Sequence, residues 1–215
     1  MGKKQRERKI RKLEKISANR EEIKLKAEFF DVGKFFRSAK FWIFTVCALA
    51  LIIYPIAYAK YIPHGHYAIL ETSMGEIKLE LRPDKAPKTV ANFVDLAKSG
   101  FYKNMIWHRV VKGFVIQTGD PLGTGKGGAG RKIPDEISDL NFAAGTVGMA
   151  NSGSGTDDSQ FFITSADAQQ DLNGKYTSFA TVVSGMNIVS AISQVPVDSN
   201  DKPTSAVYLE SVTIK

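Results

Sequence analysis

The stretch Trp107 to Asp120, WHRVVKGFVIQTGD, carries the least expected residue of the chain. Arg109 stands between His108 and the apolar pair Val110 and Val111, in a run that reads as two short strands joined at Lys112–Gly113. A guanidinium stays charged, and burying it is costly unless it is paired or put to use. Other residues that do chemistry are sparse. The histidines are His64, His66 and His108. The HGH pair lies in a linker without further ligands and reads as an incidental surface pair rather than a metal site. His108 reads as a packed strand residue rather than a general base. No GxSxG elbow marks a serine nucleophile, and no pair of carboxylates stands out. Pro121 to Pro134 is glycine-rich, but Lys126 is followed by Gly127 and no helical pattern follows, so it is not a phosphate-binding loop. No metal or other cofactor is implied.

A β-rich domain must position these residues. YAILETSMGEIKLELR gives two alternating runs around SMG, a hairpin signal. PDKAPKTVANFVDLAKSG places Val90, Phe93, Val94 and Leu96 on one helical face, with Thr89 or an earlier residue as cap and Gly100 as the stop. GTVGMANS, SQFFITS, SFATVV and AVYLESVTIK are short and strand-like. SGMNIVSAISQV puts Met186, Ile188, Val189 and Ile192 at helical spacing. Many short strands with two helices predict an all-β barrel or sandwich whose ends the helices cover. The one cysteine, Cys47, leaves this domain without an intrachain disulfide.

Residues 1–40 hold 14 Lys+Arg against 6 Asp+Glu, while residues 41–215 hold 15 against 16. The basic character is that of the tail, so nucleic-acid binding by the fold is not expected. Phe41 to Ala59 is uncharged over 19 residues, long enough to span roughly 28 Å as a helix. It reads as a single transmembrane segment, and the basic flank before it predicts a cytoplasmic N-terminus and an extracytoplasmic domain. The AYA at Ala57–Ala59 leaves cleavage and secretion as the alternative. RKIRKLEKI reads either as a basic amphipathic helix in contact with anionic lipid or as a solvated tail. The organisation expected is a tail over 1–40, a membrane segment over 41–59, a linker over 60–66 and a domain over 67–215.

Taken together, HRVVKGFVIQTGD, GMANSGSGTDDSQFFIT and DLNGKYTSFA resemble the cyclophilin family of peptidyl-prolyl cis-trans isomerases over the whole of Tyr67 to Lys215. The resemblance implies a closed eight-stranded antiparallel barrel with a helix at each end. It implies rotation of X–Pro bonds in proline-containing polypeptides, with Arg109 as the catalytic residue and no covalent intermediate. It puts Phe114, Phe162 and Leu172 in a proline pocket, with Val115 on its wall. Gln117 would steady the arginine and the substrate carbonyl. The Asn151 backbone would hold the residue before proline, between Ala150 and Ser152. Gln160 would line the groove, and Gly125 the loop bordering a neighbouring pocket. Tyr176 stands where the best-known eukaryotic members have histidine. Asp171 stands where drug-sensitive members have tryptophan, so cyclosporin is expected to bind weakly. A catalytically weak, tethered proline-peptide binding module or chaperone is the alternative reading.

Overall fold

The computed structural model describes residues 11, 12, 14–24 and 67–215. Residues 14–24 are helical with every side chain exposed. His64, His66, Cys47 and the apolar segment 41–59 lie outside the described residues.

The domain opens with the hairpin β1 (Tyr67–Thr72) and β2 (Gly75–Leu81), then helix α1 (Pro87–Lys98). Strands β3 (Met105–Ile106), β4 (Arg109–Val111), β5 (Val115–Thr118), β6 (Thr146–Met149) and β7 (Phe161–Thr164) follow. The short helix α2 (Gln169–Leu172), strand β8 (Ser178–Ser184), helix α3 (Met186–Ser193) and strand β9 (Tyr208–Ile214) complete it. The strands form one antiparallel sheet in the order β3-β9-β1-β2-β8-β6-β7-β5-β4. This corrects the expectation of a closed barrel of eight strands: nine strands curl into a half-barrel whose ends are not joined by a ladder. The reason lies in the run Met105–Val111. Trp107 and His108, both buried, lie between its two paired pieces. The first part pairs with β9 and the second with β5, so the two pieces become opposite edges of the sheet.

The main core is aromatic. Phe93 of α1 meets Tyr102, Phe161 and Phe179 at ring-centroid distances of 5.3, 5.5 and 5.2 Å. The period of α1 turns Val90, Phe93, Val94 and Leu96 inward as expected. Its start differs from the expectation. Ala86 is the N-cap and makes no side-chain bond. Glu136 does the capping from 47 residues away, accepting from the Lys88 and Thr89 amides at 3.1 and 2.8 Å and from the Thr89 hydroxyl at 2.9 Å. A carboxylate there satisfies free amides and complements the helix dipole.

Alternation splits each central strand between two apolar clusters. Ile116, Phe161 and Ile163 enter the main core. Val115 and Phe162, pointing the other way, join Phe142, Ala168 and Leu172 in a second cluster, with Phe114 and Tyr176 packed on it. Gly148 makes the second cluster possible. A Cβ at that position would lie 2.6 Å from the Phe142 ring and 2.7 Å from that of Phe162.

Two buried carboxylates hold the loops beside this cluster, with opposite electrostatics. Asp120 accepts from the amides of Leu122, Thr124 and Gly125 at 2.8, 2.8 and 2.6 Å. Burial pushes its carboxyl up, but the loop amides outweigh this and hold it below the ordinary range. Asp157 is fully buried, with one oxygen accepting from the Asn151 side-chain amide at 3.1 Å and the other unsatisfied. Burial outweighs the side-chain hydrogen bonding from Thr177 and Asn151 and raises its carboxyl.

The two aspartates predict opposite pH behaviour. A depressed carboxylate stabilises the fold above its unfolded value, and that contribution fades as pH falls through the folded value. A raised carboxylate does the reverse, and its fold loses stability as pH rises through the folded value. Asp120→Asn is expected to lose roughly 1–3 kcal/mol at pH 7, with the deficit shrinking below about pH 4. Asp157→Asn is expected to gain on the order of 1 kcal/mol at pH 7, with the gain shrinking toward about pH 4. Urea melts at neutral and acid pH check both, and differences that ignore pH would refute the assignment. Gly148→Ala is expected to cost about 2 kcal/mol, because two rings must shift to admit one methyl. A Gly148→Ala melt that coincides with the parent's would show that the rings are not so constrained.

Candidate active site

The sheet register assembles the site. Arg109 on β4 pairs with Gln117 on β5, Gln117 with Phe162 on β7, and Phe162 with Gly148 on β6. These four residues form one row across four strands, and directly paired residues project to the same face. The row lies along a cavity of about 240 Å³ lined by Arg109, Phe114, Val115, Gln117, Ala150, Asn151, Phe162, Leu172 and Tyr176. All nine are among the residues singled out by sequence. The remaining three, Gly125, Ser152 and Gln160, line an adjoining cavity of about 240 Å³ that shares Gln117, Ala150 and Asn151.

The floor of the first cavity is apolar and braced. Phe162 and Leu172 are buried, at 4% and 5% exposure. Phe142 stacks on Phe162 at 5.5 Å, and Tyr176 meets the same ring edge-on at 5.7 Å. The site can therefore hold a small apolar ring against fixed walls. Phe142 was not legible as a site residue: it sits in the irregular stretch DLNFAAG, and only its tertiary contacts reveal its part.

The rim is polar. Gln117 donates its amide to the Gln160 side-chain oxygen at 2.9 Å, and Gln160 donates to the Gly127 carbonyl at 2.7 Å. This chain ties the Gln117 amide nitrogen to Gln160, and Gln117 lines both cavities. The Asn151 side chain is committed inward, donating to Asp157 and accepting from the Gly153 amide at 3.3 Å. Its backbone N–H and C=O have no partner among the described residues, so they can pair with an extended ligand. Asp157 is the second residue that sequence reading passed over. An acid in a glycine- and serine-rich loop carries no signal that its side chain turns inward.

Arg109 is partly exposed, and its Nε lies 3.6 Å from the Asp201 carboxylate. With 40% and 45% of the two side chains exposed, such a pair contributes ~1 kcal/mol or less. It orients the guanidinium without committing it. No hydrogen bond among the described residues holds the terminal nitrogens, which remain able to donate into the cavity. His108, next in sequence, is 6% exposed and is absent from the lining of both cavities. Burial pushes its ring below the usual histidine value, so it is neutral at physiological pH.

A cavity for an apolar ring, a free backbone pair beside it and an uncommitted cation opposite form a site for a peptide carrying one cyclic apolar residue. Known proteins point the same way. Residues 67–214 match the family model described as cyclophilin type peptidyl-prolyl cis-trans isomerase/CLD. The chain is 45% identical to peptidyl-prolyl cis-trans isomerase CYP18-1 of Arabidopsis thaliana over 150 residues, 67% of this chain and 93% of that protein. It is 44% identical to peptidyl-prolyl cis-trans isomerase-like 2 of Rhizopus delemar over 158 residues, 71% of this chain but 30% of that longer protein. A cyclophilin-type isomerase of Cryptosporidium parvum superposes with a TM-score of 0.68 at 38% identity, over 71% of this chain and 98% of that one. The same protein crystallised in the presence of the dipeptide Ala-Pro gives a TM-score of 0.67 at 38% identity, over 69% of this chain and 98% of that one.

The expected membrane location is corrected. No helix among the described residues is long and apolar enough to cross a membrane, and the segment 41–59 that prompted the expectation lies outside them. The register row, the braced apolar pocket and these matches converge, and the chain belongs to the cyclophilin-type peptidyl-prolyl cis-trans isomerases.

Proposed function

We propose that the domain over 67–215 binds proline-containing polypeptides with the proline ring in the Phe114–Phe162–Leu172 pocket and rotates the X–Pro bond with Arg109 as the catalytic donor. The observation that carries this reading is the register row, which sets the guanidinium and the pocket floor on one face with Gln117 between them. The crystallisation of the Cryptosporidium relative in the presence of Ala-Pro supports the ligand class.

The chemistry needs no nucleophile. An X–Pro amide rotates slowly because its C–N bond is partly double, with a barrier near 20 kcal/mol. Twisting the bond breaks conjugation and returns the lone pair to the proline nitrogen. A guanidinium held at that nitrogen gains a hydrogen bond that the planar ground state cannot offer, so it binds the transition state selectively. The pocket walls hold the ring, the Asn151 backbone holds the residue before it, and the Gln117 amide steadies the carbonyl side. An acceleration of ~10⁵-fold needs about 7 kcal/mol, within reach of a charged donor together with an oriented substrate.

The domain would take many clients, since it reads a ring and a backbone rather than a sequence. Cyclosporin is expected to be a poor ligand. Asp171, on the exposed side of α2, offers a carboxylate and no ring surface beside Leu172.

A proline-isomerisation assay on the full chain tests the mechanism. Arg109→Ala is expected to lower kcat/KM by ~10²-fold or more while the circular dichroism spectrum stays that of the parent. A folded parent that turns over no faster than the uncatalysed reaction would make the protein a peptide-binding module instead. Asp171→Trp is expected to tighten cyclosporin binding by about tenfold or more, as apolar area replaces a charge. Calorimetric titration reads this directly, and an unchanged affinity would remove Asp171 as the cause of weak binding.

A further inference from the structure

We infer that Asp157 is a positioning residue for substrate binding: its neutral form holds Asn151 in place for the residue before proline, and its ionisation releases that hold. The inference rests on the peptide site proposed above and adds to it a dependence of substrate affinity on pH.

Asn151 meets a peptide through its backbone N–H and C=O, which have no partner among the described residues. The side chain sets their direction. Its amide group has two partners among the described residues: Gly153, within the same turn, and Asp157, which accepts from Asn151 Nδ2 at 3.1 Å. Asp157 is itself anchored to the fold, since its carbonyl accepts from the Ile133 amide at 2.8 Å. The loop between the two residues closes on itself. Thr156 Oγ1 accepts from the Ser152 amide at 2.8 Å and donates to the Gly153 carbonyl at 2.6 Å. Asp135 holds the loop's tip, accepting from the Gly155 amide at 3.0 Å and from the Ser154 hydroxyl.

The surroundings of Asp157 suit a neutral acid. The residue is fully buried, and its Oδ2 has no hydrogen-bond partner. The charges that face it are the carboxylates of Asp135 and Glu136, both of its own sign. Thr177 and Asn151 supply the hydrogen bonds on its favourable side. The nearby cations do not answer it: Arg131 is turned to Asp95 at 4.0 Å, and Lys132 is exposed. The Asp158 carboxylate, next in the chain, is taken up by the Ala129 and Gly130 amides at 2.9 Å each. An ionised Asp157 must therefore find water, and water reaches a buried oxygen when the loop over it lifts.

The sign follows from the raised carboxyl. The closed loop is complete below the folded value, and it loosens as pH rises through that value. Peptide affinity is full on the acid side and falls on the alkaline side. Linkage makes the effect reciprocal, so a bound peptide raises the Asp157 carboxyl further.

The test follows isomerisation by NMR exchange on the full chain, with a blocked peptide carrying one proline and no ionisable side chain. Between about pH 4 and about pH 8, KM is expected to rise by about fivefold while kcat stays nearly constant. Asp157→Asn keeps an acceptor for the Asn151 amide and cannot ionise, so it is expected to hold the low KM at every pH. Asp157→Ala removes the acceptor and is expected to show the high KM throughout. Thermal melts establish that both variants are folded. Carbon NMR of the Asp157 carboxyl in the parent needs no variant, and its titration midpoint is expected to move up when peptide saturates the site. His108 is intact in each variant, so a pH-dependent KM that survives in Asp157→Asn overturns the inference. A KM constant with pH in the parent, or a carboxyl midpoint that peptide leaves unmoved, does the same, and each of these outcomes leaves the isomerase reading intact. No turnover at any pH refutes the isomerase reading and this inference with it.

Discussion

The register of four strands is the constraint on which the site depends. Arg109, Gln117, Phe162 and Gly148 occupy successive strands at directly paired positions. Because side chains alternate with period two, sliding any one strand by a single residue would send its member of the row to the opposite face. The arginine would then face the aromatic core, or Phe162 would leave the pocket floor. The main core prevents such a slip. Ile116, Phe161 and Ile163, on the other face of the same strands, are each fully buried, and a slipped strand would expose them. Burial on one face thus fixes the chemistry on the other.

The loops around the row are held by buried polar groups rather than by apolar packing. Asp120 gathers the amides of the glycine-rich turn, Asp158 gathers those at 129–131, and Asp157 anchors Asn151. A loop rich in glycine has few side chains to bury, so hydrogen bonds to carboxylates are what can order it. Of the three, Asp157 alone has an oxygen without a partner. It lies beside the residue whose backbone has no partner among the described residues, so the orientation of Asn151 is obtained at a cost to local stability.

Much of this was legible in the sequence, for a physical reason. Strands and helices announce themselves through apolar period, and the hairpin β1–β2, helix α1 and strands β5 to β9 lie where the pattern puts them. The twelve residues that the resemblance pointed to, through three short motifs, line the two cavities. What the pattern could not convey was tertiary. WHRVV reads as one strand from Trp107, yet the strand is only Arg109–Val111, and the separate piece Met105–Ile106 pairs elsewhere, so the barrel is left open. The cap of α1 was sought among its neighbours and is supplied by Glu136. Phe142, Asp157 and Asp201 sit in irregular loops, where no period tells which side chains turn inward. The uncharged run at 41–59 prompted a membrane location, but no helix among the described residues is long and apolar enough to cross a membrane, and the run itself lies outside them.

The open barrel also explains how an edge strand can carry the arginine. β4 has only three residues, and an edge strand that short is poorly fixed by its ladder with β5 alone. Its outer side is not bare, however. The Val110 amide donates to the Asp201 carbonyl at 2.8 Å, and Asp201 adopts a φ of 60°, unusual for a residue with a side chain. That turn presents both groups of one residue to one strand: its carbonyl to the Val110 amide and its carboxylate to the Arg109 Nε. A fully closed ladder would offer β4 a backbone partner but no carboxylate at this point. Leaving the sheet open lets a loop residue replace the missing strand and orient the guanidinium together. The pair is exposed enough to stay weak, so the arginine is oriented while its terminal nitrogens keep no partner among the described residues.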